Sequence, residues 1–176
     1  MDLGIEGKVA LVAGASKGLG RAVALGLARE GVSLALCARG EEQLSEAATA
    51  IAEETGATVW TRPTDVSSPE ETRLFVQEAV SHYDTVHILV NNAGGPPSAT
   101  FLELTDDLWQ QAVQLNLLSA IWLARAAVPY MQKVHWGRII NMTSVAVKQP
   151  IEGLMLSNAV RAGVVGFAKT LANELA

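Results

Sequence analysis

The sequence has 176 residues, of which 49% are apolar and 18% charged, and it predicts one globular domain spanning residues 1–176. Its formal net charge of -5 argues against nucleic acid or an anionic membrane surface as the main partner. Cys37 is the single cysteine, residues 1–8 show no signal-peptide pattern and the uninterrupted apolar runs are short, so we expect a cytoplasmic protein without disulfides or a membrane span.

Short apolar runs alternate with helical patterns along the chain. The runs are typical of parallel strands that are buried on both faces, and they cover residues 8–13, 32–37, 58–61, 86–90 and 138–142. Apolar spacing, caps and glycine stops predict helices over residues 19–29, 41–55, 69–82, 105–132 and 157–175. At the start of the third helix, Ser68 is a predicted cap, Pro69 fits the first helical position and Glu71 completes a capping box. The alternation predicts an α/β fold, a doubly wound parallel sheet in three layers.

A glycine-rich turn lies between the first predicted strand and the first predicted helix. Glycines there let backbone N–H groups approach a pyrophosphate, and the helix N-terminus adds a positive dipole. The spacing is G-x-x-x-G-x-G, not the more familiar G-x-G-x-x-G, and such a cluster taken alone is often a plain turn. The strand and helix around it favour a Rossmann-like dinucleotide site, with these candidate residues: Gly14, Ser16, Lys17, Gly18, Leu19 and Gly20.

The end of the second strand indicates which nicotinamide cofactor the site takes. An NAD site usually places an acid there for the ribose 2′-hydroxyl. This sequence has Ala38, which offers no carboxylate, followed by Arg39, whose guanidinium suits a phosphate. Lys17 adds a second positive charge. The alternative is that Arg39 is a solvated loop charge, and the pattern favours NADP(H) over NAD(H).

Further motifs follow in order: Asp65-Val66 after the third strand, Asn91-Asn92-Ala93-Gly94 after the fourth, Asn116 in the long helix and Ser144 after the fifth strand. With the glycine turn, they make the sequence resemble the short-chain dehydrogenase/reductase family over essentially its whole length, and 3-oxoacyl-acyl-carrier-protein reductases in particular. The resemblance implies that Asp65 and Val66 contact adenine. It also implies that Asn91, Ala93 and Gly94 line the cofactor cleft, with turn formation as the alternative for the asparagines.

The resemblance also implies catalytic residues, and here the sequence departs from the family. Ser144 would hydrogen-bond the substrate carbonyl, and Asn116 would support a water chain to a lysine. A proton-donating tyrosine is expected at position 157 and that lysine at 161, but the sequence has Ser157 and Arg161. Residues 166–171 resemble the family's helix without a gap, and this resemblance implies the register. A serine hydroxyl is a weaker acid than a phenol, so general acid catalysis, typically worth about 10²–10⁴-fold, is expected to be altered or lost.

Two functions therefore remain open at this point. One is an NADP(H)-dependent oxidoreductase acting on a small-molecule carbonyl or alcohol, with its proton coming from a substrate group, a water at Ser157, or Lys148. The other is a catalytically impaired NADP(H)-binding or scaffold protein. No metal is expected, because the histidines lack metal-ligand spacing.

The resemblance carries two further expectations. Family members commonly form dimers or tetramers through the long helix and the final helix, so we expect a homodimer or homotetramer. They also continue with more strands, so we expect a sheet without its C-terminal strands, an exposed apolar edge, and low stability unless that edge is covered.

Overall fold

The computed structural model describes residues 3–176, which form alternating strands and helices. The strands are β1 (Val9–Ala13), β2 (Ser33–Ala38), β3 (Val59–Pro63), β4 (Ile88–Asn91) and β5 (Arg138–Asn141). The α-helices are α1 (Gly18–Arg29), α2 (Glu41–Thr55), α3 (Pro69–Tyr83), α4 (Asp106–Ala112), α5 (Ser119–Lys133) and α6 (Met155–Leu175). The predicted strands and helices are present, with ends that differ by a few residues.

The strands form one parallel sheet in the order β3-β2-β1-β4-β5. In the centre, Leu11 of β1 lies opposite Ala35 of β2 and Leu89 of β4. The chain moves outward in one direction from β1 to β3 and in the other direction through β4 and β5. The strand order therefore reverses between β1 and β4, and open α/β sheets bind ligands outside the carboxyl ends of the strands at such a point.

Alternate residues of β1 belong to two different hydrophobic cores. Ala10 and Val12 pack with residues of α1 and α2 on one face of the sheet. Leu11 packs on the other face with Phe75 of α3 and Leu123 of α5. Because both faces are covered, every residue of β1 is buried, which explains its continuous apolar run. The predicted three-layer α/β fold is confirmed.

The start of α3 confirms one half of the predicted capping box and corrects the other. The Ser68 hydroxyl accepts a hydrogen bond from the Glu71 backbone N–H at 3.3 Å, and Pro69 is the first helical residue. The Glu71 carboxylate does not return this bond to Ser68. It accepts from the Asp65 backbone N–H at 2.7 Å, while the Ser68 N–H donates to the Asp65 carbonyl. Glu71 therefore secures the chain that leaves β3.

The single long helix predicted over residues 105–132 is divided by a wider turn. A π-helical segment, Val113–Leu118, separates α4 from α5 and contains the buried Asn116. The continuous helical stretch Asp106–Lys133 has 28 residues, and an 18-residue window within it reaches a mean hydropathy of 1.2, a property that membrane-spanning helices and buried core helices share. Here Leu123 and Ala127 are buried in the core between α5 and the sheet.

The strand β5 forms one edge of the sheet, and within residues 3–176 it pairs only with β4. Ile140 is 42% exposed on this edge. A groove of about 920 Å³ lies beside it, lined by apolar residues that include Met131, Ile139 and Leu171. An exposed apolar edge was the expected result for this part of the sheet.

A cluster of charged and aromatic residues lies at the amino ends of the strands. His87 Nδ1 accepts a hydrogen bond from the Val9 backbone N–H at 3.1 Å, and its ring lies edge-on to Trp136. Lys8 and Arg138 each lie 4.9 Å from the centre of the Trp136 ring. Burial, and to a smaller extent the charge of Lys8, lowers the pKa of His87. The fold thus favours the neutral imidazole.

We expect the free energy of unfolding to fall as the pH is lowered from about 7.5 to about 5.8. Because the folded-state pKa of His87 is depressed, the unfolded chain takes up a proton that the folded chain excludes, and stability falls through the ordinary histidine range. Urea denaturation at both pH values measures this. His87→Gln keeps an acceptor for the Val9 N–H and should show a smaller pH dependence; a slope equal to that of the wild type would contradict the assignment.

Candidate functional site

The glycine turn leaves β1 at its carboxyl end and enters α1 at the point where the strand order reverses. Gly14 and Gly18 have φ angles of 61° and 57°, which glycine adopts without strain. A Cβ added to Gly20 would lie 2.2 Å from the Gly14 carbonyl oxygen and 2.7 Å from Nδ2 of Asn92, whereas a Cβ added to Gly18 would meet nothing within 4 Å. The turn is thus tightly packed on its inner side and open on its outer side.

The beginning of α1 is suited to an anion. Lys17 is the residue before the helix, and its side chain makes no capping hydrogen bond. The first amide groups of an α-helix have no partner inside the helix, and they carry the positive end of its dipole. Together with the open backbone at Gly18, this gives the residues a geometry that fits the diphosphate of a dinucleotide. Ser16 is half-buried in the turn and Leu19 is exposed.

Asparagines at the end of β4 brace this turn and the neighbouring strand. Nδ2 of Asn92 donates to the carbonyl oxygens of Ala13 and Gly14, both at 3.2 Å. Nδ2 of Asn91 donates to Oδ1 of Asn141 on β5 at 2.8 Å. They therefore connect strands and are not turn formers. Asn141 was not predicted as a site residue. The signal that could have found it is that both β4 and β5 end in asparagine.

The predicted adenosine side of the site lies at the ends of β2 and β3. Asp65 Oδ1 accepts from the Ser67 backbone N–H at 2.9 Å and from its hydroxyl at 2.7 Å. Burial alone would raise the pKa of Asp65, but the Ser67 hydrogen bonds and the positive charge of Arg39 lower it below the usual value. Arg39 is exposed and forms no salt bridge within residues 3–176. Its guanidinium is available for a phosphate, as is the exposed Lys17.

A small cavity of about 20 Å³ lies beneath the site. Five predicted site residues are among those that line it: Val66, Asn91, Ala93, Asn116 and Arg161. Nδ2 of Asn116 donates to the Gly94 carbonyl oxygen at 2.7 Å, which ties the π segment to the loop after β4. Oδ1 of Asn91 and Oδ1 of Asn116 are buried and have no hydrogen-bond partner among the described residues. A buried polar atom without a hydrogen-bond partner costs free energy. These two oxygens are therefore candidate acceptors for a hydroxyl group or a bound water.

Ser144 follows β5 and precedes the 3₁₀ turn Val145–Val147. Its Oγ accepts a hydrogen bond from the Ala146 backbone N–H at 3.2 Å, so its own hydrogen remains free to donate to a carbonyl oxygen. Ser157 lies in the first turn of α6 and is 8% exposed. The Ser157 hydroxyl makes no hydrogen bond to another residue of the described chain, and it is therefore free to hold a ligand or a water.

Arg161 lies one helical turn after Ser157. Its Nη1 donates to the carbonyl oxygen of Met142 at 2.9 Å and lies 3.5 Å from that of Thr143. The side chain is half-buried, and burial lowers its pKa. The guanidinium thus holds the end of β5 in position. The ribose contact that the family resemblance implies for this residue stays a prediction.

The tyrosines are engaged elsewhere. The Tyr83 hydroxyl donates to the Leu34 carbonyl oxygen at 2.9 Å, and burial raises the pKa of Tyr83 to about 12. Tyr130 packs at the edge of the core that α3 and α5 form with the sheet. Lys148 is exposed on the loop after Ser144. Neither tyrosine takes the place of a phenol at position 157 in this structure.

The sequence matches one protein family over nearly all its length. A profile of short chain dehydrogenases matches residues 8–176. A 3-oxoacyl-acyl-carrier-protein reductase of Pseudomonas aeruginosa is 37% identical over 176 residues, which cover 98% of this chain and 70% of that protein. The chain spans between 62% and 71% of the length of its curated relatives.

Solved structures agree with this match. L-Sorbose reductase from Gluconobacter frateurii, complexed with NADPH and L-sorbose, superposes with a TM-score of 0.97 at 39% identity, covering 99% of this chain and 66% of that one. Actinorhodin polyketide ketoreductase with NADPH has a TM-score of 0.91 at 36% identity, covering 99% and 67%. The profile match, the identity to the curated relative and the superposition on the solved structures show that this chain belongs to the short chain dehydrogenase family.

Proposed function

We propose that this protein is an NADP(H)-dependent oxidoreductase that interconverts a small-molecule carbonyl compound and an alcohol. One observation carries the proposal: the carboxyl edge of the sheet brings together the open glycine turn, the asparagines after β4 and Ser144 with its free hydroxyl hydrogen. Bound NADPH would supply the hydride. The reductase names of the relatives, including 3-oxoacyl-acyl-carrier-protein reductase, support this substrate class.

The choice of NADP(H) over NAD(H) rests on the end of β2. The turn and the uncapped start of α1 bind the diphosphate, and Arg39 and Lys17 bind the 2′-phosphate. Arg39 is exposed beside Asp65, and no carboxylate follows β2 at the position where one would bind a ribose 2′-hydroxyl. The NADPH present in the two reductase structures supports the same choice.

Arg39→Ala should weaken NADPH binding by about 10–100-fold and change NADH binding by less than about twofold. The reason is that a hydrogen bond to a charged group contributes about 1.5–3 kcal/mol, and only NADPH carries the 2′-phosphate. Fluorescence titration of both reduced cofactors measures the two dissociation constants. Arg125→Ala removes an exposed arginine of α5 and serves as the control. Equal losses for both cofactors would refute the role of Arg39.

In the reaction, Ser144 donates its hydrogen bond to the substrate carbonyl and orients it. Addition of hydride at the carbonyl carbon moves the π electron pair to oxygen, which then takes up a proton. We place the donor at a water held by the Ser157 hydroxyl, which is free within residues 3–176 and lies on the same helix as Arg161. The water is restored from solvent. Lys148 and a group on the substrate are the other sources of the proton.

A catalytically impaired NADP(H)-binding or scaffold protein is the second candidate. The observation that favours it is Arg161, whose guanidinium is bound to the carbonyl oxygen of Met142. Arginine does not relay protons as lysine does. NADPH consumption with a panel of ketones, measured beside NADPH binding, separates the two candidates. Tight binding without any turnover would favour the scaffold.

The assembly and location of the protein are also proposals. We infer a homodimer or homotetramer in the cytoplasm, formed through the π-divided helix and α6. Val165 and Leu175 of α6 are 43% and 41% exposed, which supports a contact surface there. Light scattering of the purified protein tests this, and a monomer at micromolar concentration would contradict it.

A further inference from the structure

The loop between β5 and α6 (residues 142–154) carries Ser144 and is held by α6 at both ends. Arg161 binds its beginning through the backbone carbonyls already described. Asn158 binds the other end: its Nδ2 donates to the Ile151 carbonyl oxygen at 2.9 Å, and its Oδ1 lies 3.4 Å from the Ile151 backbone nitrogen, from which it accepts. The first two turns of α6 therefore determine where this loop lies.

Asn158 closes a turn formed by residues 151–154. The Leu154 backbone N–H donates to the Ile151 carbonyl oxygen at 3.2 Å, and Gly153 has a φ of 75°. The Asn158 backbone N–H then donates to the Leu154 carbonyl oxygen at 2.8 Å. A side-chain amide offers both a donor and an acceptor, which is what the Ile151 peptide groups require. An aspartate or an alanine at position 158 lacks this pair.

The same turn connects to the loop that follows β4, because Leu154 forms a β-bridge with Ala99. Exposed apolar side chains lie on these two loops and at the start of α6. We call them the apolar rim: Phe101 (65% exposed), Leu102 (93%), Val145 (75%), Ile151 (39%) and Met155 (40%). Val145 directly follows Ser144, so the rim borders the serine that faces the substrate carbonyl. Exposed apolar surface at a site usually meets an apolar ligand group.

We propose that Asn158 is a positioning residue, which holds the 151–154 turn and so places the apolar rim beside Ser144 to receive an apolar substituent of the substrate. The inference rests on the proposed function, because it takes Ser144 to face the carbonyl. Asn158 does not touch the reacting atoms, and its effect passes through Ile151 and Leu154. The substrate class that follows is a ketone, or the matching alcohol, with an extended apolar chain.

Asn158→Asp tests the positioning role because it preserves shape but removes the donor to the Ile151 carbonyl. We expect protection of residues 149–155 from hydrogen exchange, measured with NADPH present, to fall about tenfold or more. Asn158→Ala removes both hydrogen bonds without adding charge and should give the same fall. The control is Asn173→Asp, the same change at an exposed position of the same helix, with protection unchanged within about twofold. Unchanged protection in both Asn158 variants would overturn the proposal.

The substrate half of the proposal is tested by kinetics with two ketones, one long-chain and one short. For Asn158→Asp, KM for the long-chain ketone should rise about tenfold while kcat stays within about threefold, and the short ketone should be little affected. An equal rise of KM for both would overturn the role of the rim. The wild type could reduce neither ketone while hydrogen exchange in the two Asn158 variants rose as expected. In that case the proposed function and the role of the apolar rim would fail, and the positioning of the 151–154 turn by Asn158 would stand.

Discussion

The double substitution Ser157→Tyr with Arg161→Lys is expected to raise the rate of NADPH-dependent ketone reduction by about 10²–10⁴-fold. The first change supplies a phenol, which is a far stronger acid than a serine hydroxyl. The second supplies an ammonium, whose positive charge lowers the pKa of a nearby phenol from about 10. Initial rates at saturating NADPH for the wild type, both single variants and the double variant measure the effect.

The single variants separate the two contributions. Ser157→Tyr alone should recover part of the rate, because the retained Arg161 also carries a positive charge. Arg161→Lys alone should recover little and should lower the melting temperature, because the hydrogen bond to the Met142 carbonyl is lost. An unchanged rate in a double variant that still binds NADPH and stays folded would show that the missing proton donor does not limit the reaction.

Gly20→Ala is expected to disrupt the cofactor site more than a methyl group added at any other glycine of the described chain. The added Cβ would lie 2.2 Å from the Gly14 carbonyl oxygen, so either the turn or the start of α1 must move. Overpacking of this kind costs about 1–3 kcal/mol of stability or more. Because the displaced backbone amides no longer face the diphosphate, NADPH affinity should fall at least about tenfold.

Gly26→Ala is the matched control, because it makes the same change in the same helix at an exposed position where the Cβ meets nothing within 4 Å. It should leave NADPH binding unchanged and should stabilise the protein by about 0.5–1 kcal/mol, since glycine is unfavourable inside a helix. Thermal unfolding and NADPH titration of both variants test the comparison. Equal NADPH affinity in the Gly20→Ala and Gly26→Ala variants would contradict the steric requirement for glycine at position 20.

Local patterns were sufficient for the order of the strands and helices, while the cofactor contacts that they predict stay predictions. Strands such as β1 are buried on both faces and so appear as continuous apolar runs, and the glycines of the turn need φ angles that other residues avoid. The π segment around Asn116 was missed, because one extra residue per turn hardly alters an apolar pattern. The capping box at Glu71 was wrong in one half, since the Ser68 N–H donates to the Asp65 carbonyl oxygen and the Glu71 carboxylate accepts from the Asp65 N–H instead.

The sequence by itself determined the α/β architecture, the place of the glycine turn and the presence of serine at position 157 and arginine at position 161, because each depends on residues close together in the chain or on a residue's identity. Only the tertiary structure decided that Asn92 braces the glycine turn, that Arg161 holds the end of β5, and that Asn158 holds the loop beside Ser144. These contacts depend on how the strands and α6 pack together. They join residues that lie far apart in the chain or on different elements, and no local sequence pattern relates such residues.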